Sequence, residues 1–204
     1  MMWGYVLGKA CGRLRKTDPN IALLIVAGGI IDFDIFTGRP YNTLFGHHGI
    51  AHSWLVITLI FVPLFFRFGW QCLPYFVAVI QHPLFGDLIT NRIPLLFPLT
   101  LSETGMNLSI RNPMAGIALE FLGYVLFLVI FTASNDWKKR VAATRWNLFW
   151  LSLWIPPIAL TIAQAFGYYE PVMTDLIYTA YALVSSFTLF AAGGSLALRS
   201  FRKR

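Results

Sequence analysis

Aspartate and histidine side chains cluster at three places in the first half of the sequence, and both types bind divalent metal ions. The three places are Asp32 and Asp34, then His47, His48 and His52, then His82 and Asp87. They include all 4 histidines of the chain. Neutral imidazoles combined with carboxylates form the usual ligand shell of a divalent transition metal. The pattern therefore predicts a metal site, provided that the fold brings the three places together.

The composition indicates that these residues belong to a membrane protein. Of the 204 residues, 57% are hydrophobic and only 12% are charged, whereas a soluble domain carries about 25% charged residues. The apolar residues fall in long runs. This excludes a water-soluble globular domain, a disordered chain and a nucleic-acid-binding module. The sequence predicts an all-α fold, a polytopic helical bundle.

Six apolar stretches predict about six transmembrane helices, each near the roughly 20 residues that a bilayer requires. They cover about 20–36, 49–66, 70–90, 113–133, 148–166 and 175–198. We expect a turn at 67–69 and a re-entrant or surface loop over 91–112. The whole chain, 1–204, is expected to form one integral membrane domain, with its motifs in about 20–100 and a C-terminal three-helix part over about 113–198.

The distribution of positive charge predicts the orientation. All but three of the 16 Lys and Arg residues fall on one side of this six-helix map. The three on the other side are Arg39, Arg92 and Arg111. By the positive-inside rule both termini are cytoplasmic, and the protein is expected in the inner or plasma membrane. The net charge of +7 then reflects topology and anionic headgroups rather than nucleic-acid binding.

The same six-helix map places the candidate metal-binding residues near one face of the membrane. With a rise of about 1.5 Å per residue, Asp32, His52 and His82 reach comparable depths near the outer face, and Glu120 on the fourth helix reaches a similar level. An ionisable group costs roughly 2.5–3.5 kcal/mol at the centre of a membrane helix, a cost that coordination of a metal would offset. A single intramembrane histidine more often forms a helix–helix hydrogen bond than binds a metal. Glu120 alone is better explained as a structural partner of a histidine or arginine than as a ligand. The convergence of three helix ends favours the metal.

Local spacing gives further expectations for the second place. His48 and His52 are four residues apart, so one helical face could present both to one ion. His47 would have to precede the helix, and Gly49 permits such a break.

Three segments resemble the motifs of a known family. Segment 31–34, I-D-F-D, resembles P-D-I-D, and segment 47–53, H-H-G-I-A-H-S, resembles H-[RK]-G-x-T-H-S. Segment 82–90, H-P-L-F-G-D-L-I-T, followed by P-L-L-F-P at 94–98, resembles H-x-x-x-D-x-x-T with a downstream P-L-L-x-P. Over roughly 20–100 the chain is therefore similar to the YdjM-type family of membrane-bound metal-dependent hydrolases. That family is distantly similar to zinc-dependent phospholipase C.

The resemblance implies a set of metal ligands, and this sequence departs from the family motifs in two respects. The implied ligands are Asp32, His47, His52, His82 and Asp87, with zinc as the favoured metal and manganese or magnesium as alternatives. His48 replaces the family's Arg or Lys, which makes it either an additional ligand or a substituted anion-binding position. His82 and Asp87 are five residues apart rather than four, and we expect Gly86 to absorb the extra residue as a bulge.

These expectations lead to a metal-dependent hydrolase acting at the extracytoplasmic interface, on a phosphate ester or another bond of a lipid-linked substrate. Asp34 or Glu120 would act as general base or would orient a ligating imidazole. Arg92 and Arg111 would bind the substrate phosphate or anchor the interface. The alternatives are a metal transporter that uses the same ligands and a non-enzymatic membrane subunit. The inner halves of the predicted helices carry almost no polar path, which disfavours transport.

Overall fold

The fold is that of a computed structural model, which describes residues 2–37, 44 and 46–136. Within these residues the chain is helical and has no strand beyond one isolated bridge. Contacts divide the chain into two compact units, Met1–Gly123 and Tyr124–Arg204. Every candidate site residue belongs to the first unit. Arg39, the helices expected over 148–166 and 175–198, and the basic segments around and after them lie outside the described residues.

The first helix, α1 (Met2–Leu14), was not among the predicted elements. Its glycines at positions 4, 8 and 12 are four residues apart, a spacing that lets a neighbouring backbone approach one face. A Cβ on Gly8 would lie 2.7 Å from the carbonyl oxygen of Pro74. α1 therefore packs directly on α4 (Leu73–Gln81), the helix that leads to His82.

The helix expected over 20–36 is broken in two, so this prediction of one continuous helix is wrong. α2 (Ile21–Ala27) is capped by Asn20, whose side-chain oxygen accepts a hydrogen bond from the Leu23 amide. The chain then continues as a 3₁₀ helix, Ile30–Thr37. Two consecutive glycines at 28 and 29 separate the two pieces, and glycine is the poorest helix former after proline. Asp32 and Asp34 thus lie on the tighter 3₁₀ winding.

The next two helices form an antiparallel hairpin. α3 (Trp54–Phe68) is followed by a turn at Gly69, whose φ of 58° is left-handed. The rings of Phe61 and Phe76, which are almost equally distant from this turn, lie 5.1 Å apart. The turn expected at 67–69 is confirmed. The helix starts later than position 49, because Ser53 provides the N-cap.

α4 runs into a π-helix, His82–Asp87, and then into the short α5 (Leu88–Thr90). Pro83 lacks an N–H, so the α-helical ladder cannot continue through it. The Leu88 amide bonds instead to the Pro83 carbonyl, five residues earlier. The bulge expected in this segment is therefore present as one turn of π-helix.

A loop follows, as expected, and it is fastened to the ends of the hairpin. Ile93 pairs with Thr104 in the isolated bridge. The Met106 amide donates to the Leu88 carbonyl at 2.8 Å. The Trp54 amide donates to the Leu95 carbonyl at 3.2 Å. The loop is therefore hydrogen-bonded to the end of the hairpin opposite Gly69, the end at which the candidate residues lie.

The fold then returns to helix. The short α6 (Leu108–Arg111) precedes α7 (Pro113–Ala133), whose bounds match the helix predicted over 113–133. Two helical stretches, Trp54–Thr90 and Pro113–Ala133, are long and apolar enough to cross a membrane by length and composition. The first of them is the stretch that reverses at Gly69.

Candidate metal centre

Four side chains from three separate segments meet at the open end of the hairpin. His82 Nε2 lies 3.1 Å from Asp32 Oδ1 and 3.6 Å from Asp87 Oδ2. His52 Nε2 lies 3.5 Å from the same Asp32 oxygen and 3.4 Å from the same Asp87 oxygen. We call these four residues the primary cluster. It contains one member from the first place in the sequence, one from the second and two from the third.

The spacing of the primary cluster fits one small cation. A tetrahedral zinc ion with ligand distances of about 2.0–2.1 Å has ligand-to-ligand edges of about 3.3 Å. The four histidine-to-carboxylate separations, 3.1 to 3.6 Å, bracket that value. One ligand atom from each of Asp32, His52 and His82 lies within 4.8 Å of the others. Two of the four donor atoms, His52 Nε2 and Asp87 Oδ2, are fully buried and make no hydrogen bond. Buried polar atoms without a partner are costly, and a cation between them would satisfy both.

Asp34 hydrogen-bonds to two of the histidines. Its Oδ2 accepts from His52 Nδ1 at 3.0 Å, and its Oδ1 accepts from His47 Nδ1 at 2.7 Å. A carboxylate on one ring nitrogen fixes the tautomer, which leaves the other nitrogen, Nε2, with its lone pair free to bind a metal. Asp34 therefore orients two imidazoles, one of the two roles that the sequence analysis considered for it.

The three histidines of the second place form another group of close donors. One ligand atom from each of His47, His48 and His52 lies within 4.8 Å of the others. The rings of His47 and His48 are tilted against each other at a centroid distance of 4.2 Å. Burial away from water lowers the pKa of His48 to about 4. Its imidazole is therefore neutral at pH 7 and can accept a metal without first losing a proton.

The turn that carries these histidines differs from the helical face expected for His48 and His52. His48 precedes the helix and has a left-handed backbone, with φ of 64°. His52 ends a short 3₁₀ turn, Ile50–His52. The expectation that one helical face presents both is wrong, although the turn still brings their rings to 5.0 Å. Gly49 allows the break, as expected.

Ser53 positions the buried His52, and the sequence analysis did not assign it a role. Its hydroxyl accepts from the Val56 amide at 3.3 Å as the α3 N-cap, and it donates to the Phe97 carbonyl at 2.6 Å. Both Ser53 and His52 are almost fully buried. A serine directly before an apolar helical run is a recognisable cap, so the sequence contained the signal.

The remaining candidates lie on α7, in the loop and on α6. Glu120 lies half-buried on α7 and belongs to neither group of close donors among the described residues. Arg92 lies in the loop directly after α5, and Arg111 lies at the end of α6. Both side chains are exposed, so each is accessible to a ligand from outside.

Comparisons with protein-family models, with curated proteins and with solved structures find no match for this chain. The resemblance to the YdjM-type family stays a prediction, and the functional argument depends on the geometry of the His/Asp groups.

Proposed function

We propose that this protein is a membrane-embedded, metal-dependent hydrolase that acts on a phosphate ester of a lipid-linked substrate. The observation that supports it is the primary cluster, in which each of two histidine nitrogens lies 3.1 to 3.6 Å from two carboxylate oxygens, and two of the four atoms are buried without a hydrogen bond. A divalent ion at such a site polarises a phosphoryl oxygen and lowers the pKa of a bound water towards 7. Zinc fits the nitrogen and oxygen donors best.

The chain's own residues have separate tasks in this proposal. His52, His82, Asp32 and Asp87 hold the ion, and Asp34 keeps His47 and His52 oriented. The Asp32 side chain is 41% exposed, whereas those of His52 and Asp87 are almost completely enclosed. Substrate would therefore approach from the Asp32 side. Water adds to phosphorus, the ester P–O bond breaks, and the leaving alcohol takes up a proton.

The loop beside the site supports a lipid as the substrate. Three of its large apolar side chains, those of Leu99, Leu101 and Met106, are more than 60% exposed. Arg92 and Arg111 flank these side chains along the chain, and both are exposed. Apolar side chains at the level of the acyl chains, next to cations at the level of the phosphates, suit the surface of a bilayer. In this proposal the two arginines bind the substrate phosphate.

The membrane arrangement is part of the same proposal. The positive charge distribution favours cytoplasmic termini and a site on the extracytoplasmic side. The hairpin of α3 and α4 would then turn near the cytoplasmic interface and deliver His52 and His82 to the opposite one.

Metal content tests the proposal first. We expect the detergent-purified protein to contain stoichiometric zinc or manganese by mass spectrometry, and His52→Ala and His82→Ala to contain less. Cys11→Ser is the control, because a thiol could bind adventitious zinc and this one lies outside the cluster. A metal-free wild type, or variants that retain the wild-type content, would contradict the proposal.

Phosphate release tests the reaction. We expect the metal-loaded protein to release phosphate or a phosphorylated headgroup from phospholipid vesicles, and His82→Ala to lose this activity. A protein that holds metal but hydrolyses neither vesicle lipids nor short-chain phosphate esters would contradict the hydrolase and favour a non-enzymatic metal-binding subunit.

A further inference from the structure

The turn at Gly69 and the end of α1 meet at the end of the hairpin opposite the metal centre, and they carry four exposed cations. A contact between Arg15 and Trp70 joins them, with the Cζ atom of the guanidinium 4.6 Å from the centroid of the indole ring. At the end of α3, Arg67 Cζ lies 5.4 Å from the centroid of the Phe68 ring. These arginines, the rings beneath them and the cations next to Arg15 in the chain form a set that we call the turn patch: Arg13, Arg15, Lys16, Arg67, Phe68 and Trp70.

The four cations of the turn patch form no ion pair with any residue that the structure describes. Asp18, the nearest carboxylate along the chain, pairs with the buried Lys9, whose Nζ lies 3.9 Å from Asp18 Oδ1. The dipole of α1 favours cations at its C-terminal end, but it does not explain why Arg15 lies over a ring of another element. The turn patch therefore presents positive charge that an anionic partner would balance.

The two arginines are held in a geometry that suits a phosphate group. A guanidinium that lies over an aromatic ring uses its face for that contact and keeps its N–H groups available at its edge. These N–H groups form the planar fork that binds two oxygens of one phosphate at once. The rings also restrict the arginine side chains, so less conformational freedom is lost when Arg15 and Arg67 bind a ligand.

The apolar side chains around the turn patch identify the kind of anion. Phe66 is 88% exposed and Leu14 is 85% exposed, and each is the sequence neighbour of a cation of the patch. A nucleic acid or an acidic peptide would leave these side chains in water. A phospholipid carries its phosphate directly next to its acyl chains, so it covers both the cations and the apolar side chains. Indole rings are also enriched at membrane interfaces.

We propose that the turn patch is a binding site for an anionic phospholipid, whose phosphate contacts Arg15 and Arg67 and whose acyl chains cover Leu14 and Phe66. The bound lipid holds the end of α1 against the turn of the hairpin. In the proposed membrane arrangement the site faces the cytoplasmic leaflet, where anionic lipids attract cations next to the membrane. The inference does not depend on the metal or on the hydrolytic reaction, which belong to the other end of the hairpin.

Lipid binding to the purified full chain tests the inference. The protein is stripped of metal with a chelator and titrated in detergent with phosphatidylglycerol or with phosphatidylcholine of the same acyl chains, and bound lipids are counted by native mass spectrometry. We expect the first phosphatidylglycerol to bind more tightly than any phosphatidylcholine. Exchanging both arginines, Arg15→Lys with Arg67→Lys, should weaken it about 5-fold, because lysine keeps the charge and lacks the planar fork. Equal affinity for the two lipids in the wild type, or wild-type affinity in the double variant, would overturn the inference.

The same exchange in the loop at the opposite end of the hairpin, Arg92→Lys with Arg111→Lys, is the matched control. We expect it to keep the wild-type affinity for the first phosphatidylglycerol, and an equal or larger loss in this control would overturn the inference. Melting temperatures without added lipid check folding. If the Arg15 and Arg67 double variant does not fold, Trp70→Leu decides, because it removes the ring under Arg15 and keeps every charge. We expect Trp70→Leu to bind phosphatidylglycerol more weakly than the wild type, and wild-type affinity in it would overturn the inference.

Discussion

At the scale of single residues, Asp34 determines what two histidines can do. One carboxylate accepts hydrogen bonds from His47 at 2.7 Å and from His52 at 3.0 Å. The two oxygens of this one carboxylate therefore hold two imidazoles of the same turn, each by its Nδ1.

Asp34→Asn tests this role. An amide presents one acceptor instead of two, so one imidazole loses its partner and turns or changes tautomer. We expect metal affinity to fall by roughly 10- to 100-fold, the usual cost of removing a group that orients a ligand. Competition with a fluorescent chelator measures it, and Asp18→Asn, a change at a highly exposed carboxylate, should leave affinity unchanged. Wild-type affinity in Asp34→Asn would contradict the orienting role.

Residue types and spacing predicted much of the candidate site. They singled out Asp32, His52, His82 and Asp87, which the structure brings together, because unpaired charges are too costly in apolar surroundings to occur there by accident. They could not distinguish the task of Asp34 from that of Asp32. Two carboxylates two residues apart look alike in a sequence, and only the 3₁₀ winding decides which atoms each one reaches.

At the scale of elements, one turn of π-helix brings His82 Nε2 within 3.6 Å of Asp87 Oδ2. The five-residue spacing would separate them on a regular α-helix, and the missing N–H of Pro83 opens the ladder at this point.

Pro83→Ala should therefore separate metal binding from folding. The restored N–H favours the regular α-helix, which rotates His82 away from Asp87. We expect weaker metal binding with an unchanged or higher melting temperature of the metal-free protein. Pro63→Ala, which removes a proline from inside α3, is the matched control and should leave metal binding intact. Equal metal affinity in the two variants would contradict a role for the π-helix.

The close packing of α1 on α4 leads to a second prediction at the scale of elements. A methyl group on Gly8 would lie 2.7 Å from the Pro74 carbonyl oxygen, far inside van der Waals contact. We expect Gly8→Ala to destabilise the protein by about 1–3 kcal/mol, as overpacking does. In Gly116→Ala the methyl group meets Ser109 Oγ at 3.5 Å, so helix propensity should stabilise α7 by about 0.5–1 kcal/mol. Thermal unfolding in detergent compares the two, and a Gly8→Ala protein as stable as Gly116→Ala would refute the close packing.

The elements were less predictable than the residues. The hairpin turn and the helix over 113–133 were predicted, because a long apolar run bounded by proline, glycine and arginine leaves few alternatives. α1 was missed because its charges, Lys9 among them, suggested a solvated basic segment. Its Gly4, Gly8 and Gly12 spacing was the signal for close helix packing. The break after α2 depends on packing against neighbours, which hydropathy alone does not encode.

At the scale of the whole molecule, the proposed membrane arrangement and the length of α3 together predict how deep the site lies in a bilayer. α3 has 15 residues, about 22 Å at 1.5 Å per residue, whereas a typical hydrocarbon core is about 30 Å thick. If the turn at Gly69 lies at one interface, the His/Asp cluster lies several ångströms short of the other.

Lipids of different acyl-chain length should then change the reaction rate. We expect faster phosphate release in vesicles of short-chain phospholipids than in long-chain vesicles with the same headgroup, because the thinner core lowers the phosphates to the cluster. Metal content should be equal in both. A rate that does not depend on chain length would contradict this placement.

The short hairpin has a consequence beyond the purified protein. Natural membranes differ in thickness by several ångströms, and even one membrane contains thinner and thicker patches. A site recessed by a fixed helix length would reach phosphates in the thin patches and miss them in the thick ones. The host bilayer would then act as a substrate filter, and lipid composition would regulate the protein without any effector binding to it.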